Sequence, residues 1–103
     1  MNKIRVHFSI ISMSLLLLTS SGAFAADASA GRVAATQCAM CHGVNGEGNG
    51  IPGSSIAGMD ADLFIKHLRD FKSGTRRNVM MERFANRLSD QDIENLAAYF
   101  APK

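Results

Sequence analysis

Cysteine is scarce in this chain of 103 residues: Cys38 and Cys41 are the whole supply. A framework of several disulfides is excluded, and a bridge between these two would close so small a loop that it would stabilise the fold little. A long hydrophobic run is missing as well. The most apolar stretch, Phe8 to Leu18, falls short of the roughly 20 residues that a membrane-spanning helix needs. No segment alternates apolar and polar residues with the period of two that marks a half-buried strand, and no internal repeat is visible. Charge of one sign is lacking too. The formal net charge is +2, and Lys3 with Arg5 near the N-terminus accounts for it. The rest of the chain balances, which gives no case for nucleic-acid binding.

What is present begins with a targeting pattern. Lys3 and Arg5 form a basic start, the Phe8 to Leu18 run follows, and Ser20-Ser21-Gly22-Ala23-Phe24-Ala25 supplies small residues where a signal-peptide cleavage site needs them. The expectation is a cleaved signal peptide over residues 1–25, a single domain over residues 26–103, export to the periplasm and no permanent membrane anchor. A domain that small buries little apolar surface and usually needs a staple, whether a disulfide, a metal or a cofactor.

Past Ala25 the pattern is helical. A first helix is predicted from Ala26 to Ala39, with Val33 and Ala34 among its apolar positions and Gly31 inside it. Six glycines between Gly43 and Gly58 then mark a long loop. Asp60 offers an N-cap to a second helix ending near Lys72 at Ser73-Gly74, with Leu63, Phe64, His67, Leu68 and Phe71 on one face. A third segment is predicted from Arg76 to Arg87, with Val79, Met80, Phe84 and Leu88 inward. Ser89 and Asp92 form a capping box for a last helix, Asp90 to Phe100, whose buried side is Ile93, Leu96, Ala97 and Phe100. The fold class is all-α, with about four helices and one Gly-rich loop. The basic residues Lys72, Arg76, Arg77, Arg83 and Arg87 and the acidic residues Asp90, Asp92 and Glu94 read as solvated helix faces.

The chemistry concentrates in Cys38-Ala39-Met40-Cys41-His42. On one helical turn, two thiols three residues apart can face a single porphyrin edge and add to its two vinyl groups as thioethers. His42, next in the chain, then reaches the iron from beneath. A thioredoxin-like redox pair shares the cysteine spacing but belongs beside a βαβ pattern, which the sequence does not have. A zinc site would need two more ligands at suitable spacing. The reading is one covalently attached haem c. For the second face of the iron, Met59, Met80, Met81 and His67 are the candidates, together with no ligand at all; Met40 lies within the attachment motif and cannot cross. Each methionine also has a plain reading as core filler.

With these residues in view, the chain resembles the class I cytochrome c family over residues 26–103. The matching pieces are Gly31 ahead of Cys38-Ala39-Met40-Cys41-His42-Gly43, then Ile56-Ala57-Gly58 and Phe71-Lys72-Ser73-Gly74-Thr75-Arg76. They continue with Met81 four residues before Ala85, Leu88-Ser89-Asp90, Ile93 and Leu96-Ala97-Ala98-Tyr99-Phe100. Within the family it looks closest to the cytochrome subunit of flavocytochrome c sulfide dehydrogenase, through Met59-Asp60 to Phe71-Lys72-Ser73-Gly74 and Met81-Glu82-Arg83. The resemblance implies helices wrapped around one haem, with first and last helices crossing tightly and Gly31 as the close-approach residue against Tyr99 or Phe100. It also places the distal ligand on Met81, with Met80 as the alternative. Where the family often has a proline whose carbonyl accepts the proximal histidine's N–H, this chain has Ser54, with Pro52 two residues earlier; the acceptor stays open between the two carbonyls.

The function implied is one-electron transfer rather than catalysis, since a peroxidase-like activity needs an open iron position that Met81 would fill. The partners implied are redox proteins: a flavoprotein with this chain as its cytochrome subunit, or other carriers between which it shuttles freely.

Overall fold

The computed structural model describes residues 3–4 and 25–103. The rest of the segment read as a signal peptide lies outside the described residues. Five α-helices follow in order: α1 (Ala28–Ala34), α2 (Ala39–His42), α3 (Ala61–Ser73), α4 (Val79–Asn86) and α5 (Asp90–Phe100). A 3-10 turn, Ala35–Gln37, separates α1 from α2. Among the described residues there is no strand, as an all-α class I cytochrome c fold requires.

The helix ends follow local chemistry. Asp60 Oδ1 accepts the Leu63 N–H at 3.0 Å, and α3 stops at Gly74, whose φ of 81° is left-handed. Ser89 and Asp92 exchange side-chain and backbone bonds of 2.9 and 3.0 Å, the capping box expected for α5.

Two predicted boundaries differ. The first helix is not continuous. The Cys38 N–H bonds the Ala35 carbonyl at 2.9 Å, one residue tighter than an α-helical bond, and this re-aims the cysteine turn relative to α1. The third helix begins at Val79 instead of Arg76. The Arg76 N–H is committed to the Asp70 carbonyl at 3.0 Å, and Asn78 Oδ1 caps the new start by accepting the Met81 N–H at 3.0 Å.

The core joins α5 to everything else. Ile93, Leu96, Ala97 and Phe100 are buried as expected, together with Phe64, Leu68, Ala85, Leu88 and Tyr99. The Phe64 and Phe100 rings stack with centroids 5.7 Å apart, and Tyr99 meets Phe100 edge-on at 4.9 Å. Three residues assigned inward by periodicity face outward instead: Val33, Val79 and Met80 are 75%, 69% and 56% exposed. On α4 the inward positions are Met81 and Ala85, continued by Leu88 just past its end. Leu63 is also exposed, leaving the core face of α3 to Phe64 and Leu68.

The crossing of α1 with α5 is closer than a side chain allows. A Cβ on Gly31 would stand 2.0 Å from the Asn95 carbonyl oxygen and 3.0 Å from Tyr99 Cβ. The close-approach role of Gly31 is borne out with Tyr99; its main neighbour is the Asn95 backbone, and Phe100 is not among the nearest atoms. The Asn95 side chain is buried and was not singled out by the sequence. Its Oδ1 accepts from the Asp27 backbone N–H at 2.8 Å and from Gln91 Nε2 at 2.9 Å, which ties the beginning of α1 to α5.

Candidate haem site

The Gly-rich loop is ordered by its own backbone. Gly46 is buried with φ of 77°, and its carbonyl accepts N–H bonds from Ile56 and Ala57 at 2.8 and 2.9 Å. A Cβ at Gly46 would sit 2.8 Å from the Phe100 ring, so only glycine allows the loop to close against α5. Tyr99 Oη donates to the Val44 carbonyl at 2.9 Å, pinning the residues just after His42 to α5. Neither contact was predicted; both join residues distant in sequence, and periodicity carries no sign of them.

These constraints shape a cavity of about 540 Å³. Cys38, Cys41 and His42 form one part of its wall, and the loop contributes Ile51, Pro52, Ser54 and Ile56. From α3 come Phe64, His67, Leu68 and Phe71, and from α4 Met80, Met81 and Phe84. The sequence-selected residues are thus brought together around one space, Met59 included. Size and apolar lining suit a cofactor-binding cleft.

The donor geometry is specific at His42. Its Nδ1 lies 2.7 Å from the Ser54 carbonyl oxygen. A carbonyl can only accept, so Nδ1 carries the proton and Nε2 keeps the lone pair that binds a metal. The acceptor left open between Ser54 and Pro52 is therefore Ser54. Burial pushes the Cys38 thiol up from its ordinary value, opposite to the lowered thiol pKa of a reactive redox pair. His67 is pushed down, first by burial and then by the Arg76 and Lys66 cations. Among the described residues, no group of three or more His, Cys, Asp or Glu side chains is placed to hold a bare metal ion.

The two adjacent methionines separate as neighbours on a helix must. Both line the cavity, but Met81 is half-buried against the core whereas Met80 is mostly exposed. Two thiols and an oriented imidazole in the wall of one apolar cleft fit a covalently bound haem.

Fold and site together define a c-type cytochrome of class I. Residues 25–100 match the family described as cytochrome c oxidase, cbb3-type, subunit III. Cytochrome c4 of Pseudomonas aeruginosa is 37% identical over 93 residues, covering 89% of this chain and 46% of that protein. The thiosulfate dehydrogenase electron acceptor of Stutzerimonas stutzeri is 37% identical over 100 residues, covering 90% and 46%. The solved cytochrome c4 of Acidithiobacillus ferrooxidans superposes with a TM-score of 0.71 at 31% identity, over 82% of this chain and 54% of that one. The chain spans about half the length of these relatives. It belongs to the cytochrome c family, whose cofactor is haem c.

Proposed function

We infer that this chain is an exported mono-haem electron carrier with histidine–methionine axial ligation, and not itself an enzyme. Cys38 and Cys41 would hold the cofactor as thioethers, His42 Nε2 would bind the iron on one face, and Met81 would bind it on the other. The observation that carries the reading is the His42 Nδ1 to Ser54 carbonyl bond, which fixes ring and tautomer in the wall of an apolar cavity.

Haem, when bound, supplies the one-electron iron couple. The chain's own residues do the rest. Ser54 orients the imidazole, and Phe64, Leu68 and Leu96 keep water from the interior of the cleft. A methionine ligand raises the potential and closes the position at which small molecules would react. Ile51 and Met80 line the cavity and are 64% and 56% exposed, so partners can reach its edge.

Export to the periplasm with removal of residues 1–25 completes the proposal. It is supported by the basic, apolar and small-residue order of that segment. No helix among the described residues is long and apolar enough to cross a membrane.

The donor is a redox protein handling reduced sulfur. The resemblance of Met59 to Gly74 and of Met81-Glu82-Arg83 to sulfide dehydrogenase cytochrome subunits supports a flavoprotein donor with this chain as its subunit. The similarity to a protein named as the electron acceptor of thiosulfate dehydrogenase supports the second reading, a freestanding carrier.

The test is a visible spectrum, oxidised and reduced, of the natively purified protein as it leaves a sizing column. Haem bands accompanied by flavin absorbance in a larger peak favour the subunit. Haem bands alone at the size of a small monomer favour the carrier. A protein without haem would refute the electron-transfer reading.

A further inference from the structure

Two asparagines of the glycine-rich loop are each followed by glycine: Asn45-Gly46 and Asn49-Gly50. Such a step can react with itself. The glycine backbone nitrogen, with no side chain in the way, attacks the asparagine Cγ, ammonia leaves and a cyclic succinimide forms. One water then opens the ring at either carbonyl and gives aspartate or isoaspartate. The balance is water in and ammonia out, with no change of oxidation state.

The fold treats the two steps differently. At Asn45 the attacking nitrogen is locked. The Gly46 N–H donates to the Gly43 carbonyl at 3.1 Å, the Gly46 carbonyl accepts from Ile56 and Ala57, and the residue is buried beside the Phe100 ring. Turning it toward the Asn45 side chain breaks these three bonds, so reaction there must wait for the loop to open.

At Asn49 the nitrogen is free. Asn49 and Gly50 are exposed, and the Gly50 N–H makes no hydrogen bond among the described residues. A Cβ built on Gly50 would meet nothing within 4 Å, so the step has room to turn. The electrophile is prepared as well. Asn49 Oδ1 accepts the Ile51 N–H at 3.1 Å, which folds the side chain back along the Gly50 peptide. That donor draws electrons from Cγ and stabilises the oxyanion formed as nitrogen adds.

We propose that Asn49 is a site of spontaneous deamidation in the folded protein, that Asn45 is spared, and that the conversion lowers the reduction potential. Asn49 lines the cavity, and its N–H donates at 3.2 Å to the hydroxyl of Ser54, the residue whose carbonyl orients His42. A carboxylate at this point adds negative charge to the cavity wall. It favours oxidised iron, which carries one more positive charge than reduced iron. The redox consequence rests on the mono-haem reading above; the modification does not.

The test is to age the holoprotein at mildly alkaline pH and map the products by fragment-ion mass spectrometry with detection of isoaspartate. Asn49 should convert at least about tenfold faster than Asn45, where three hydrogen bonds must open first. In guanidinium chloride, with the loop unfolded, the two sites should react at similar rates. Asn49→Gln should abolish the acidic product of the folded protein, since its longer side chain must close a less favourable ring, whereas Asn45→Gln should not. Asn49→Asp, which carries the charge without ageing, should move the electron-exchange equilibrium about twofold or more toward the oxidised protein. No acid at Asn49 in the folded protein, or acid formed equally at both sites, would overturn the proposal. An unmoved equilibrium in Asn49→Asp would overturn its redox half. A wild-type protein lacking covalent haem would sink that half together with the electron-transfer reading, while the ageing pattern is judged by mass alone.

Discussion

Replacing Gly31 with alanine should destabilise the protein, although the same change in an exposed helix would stabilise it. Alanine is the better helix former by about 0.5–1 kcal/mol, and that gain would be realised in α1 as well. Against it stands the crossing with α5. The new Cβ would lie 2.0 Å from the Asn95 carbonyl oxygen and 2.6 Å from its carbon. Both are backbone atoms inside a helix and cannot swing aside. The helices must therefore part by at least 1 Å or so to restore the 3.0 Å that real contacts respect.

Overpacking of this kind costs about 1–3 kcal/mol. Parting also stretches the 2.8 Å bond from the Asp27 N–H to Asn95 Oδ1, worth about 0.5–1.5 kcal/mol. After the helix gain is subtracted, a net loss of about 0.5–4 kcal/mol remains. The assay is urea unfolding of the holoprotein followed by far-ultraviolet circular dichroism, with amide exchange at Asp27 as a local probe. Gly31 does not line the cavity, so the visible haem spectrum should not change. A Gly31→Ala protein as stable as wild type, or more stable, would refute the close-crossing argument.

Methionine assignment is tested by a pair of variants. Met81→Ala should remove the methionine ligand from the visible and near-infrared spectra, whereas Met80→Ala should leave it in place; the opposite result would show that the exposed methionine turns inward to bind. Cys41→Ser should prevent recovery of stable holoprotein from cells, and a soluble, cooperatively unfolding apoprotein at normal yield would count against the cofactor as the staple of this small core. Tyr99→Phe removes the 2.9 Å bond to the Val44 carbonyl and should lower the free energy of urea unfolding by about 0.5–1.5 kcal/mol. An unchanged midpoint would mean that water replaces the hydroxyl without loss.

Local signals were legible and non-local ones were not. Asp60, Gly74 and the Ser89 and Asp92 box act within one turn of their own helices, so residue type and spacing suffice to place them. The attachment motif is local in the same way, which is why Cys38, Cys41 and His42 could be read together. Asn95 illustrates the opposite case. A polar residue beside Glu94, between Ile93 and Leu96, suggests a solvated position, yet its partners are Asp27, far away in sequence, and Gln91. The histidine's carbonyl acceptor also depended on how the glycine loop closes. That closure rests on Gly46 and its two accepted N–H bonds, so the sequence alone left Ser54 and Pro52 as equals.

The methionines connect the two kinds of information. Apolar periodicity counted from Arg76 put Val79 and Met80 inward, and a helix starting there would have favoured the wrong side of α4. The real start is set by Asn78, whose side chain accepts the Met81 N–H while its own N–H donates to Glu82 Oε2 at 3.2 Å. Asparagine is a favoured N-cap, so this start is readable from residue type. With α4 begun at Val79, Met81 and Ala85 share the core-facing stripe and Met80 turns toward the rim. Adjacent residues on a helix point about 100° apart, so only one of the two sulfurs can share the core-facing stripe.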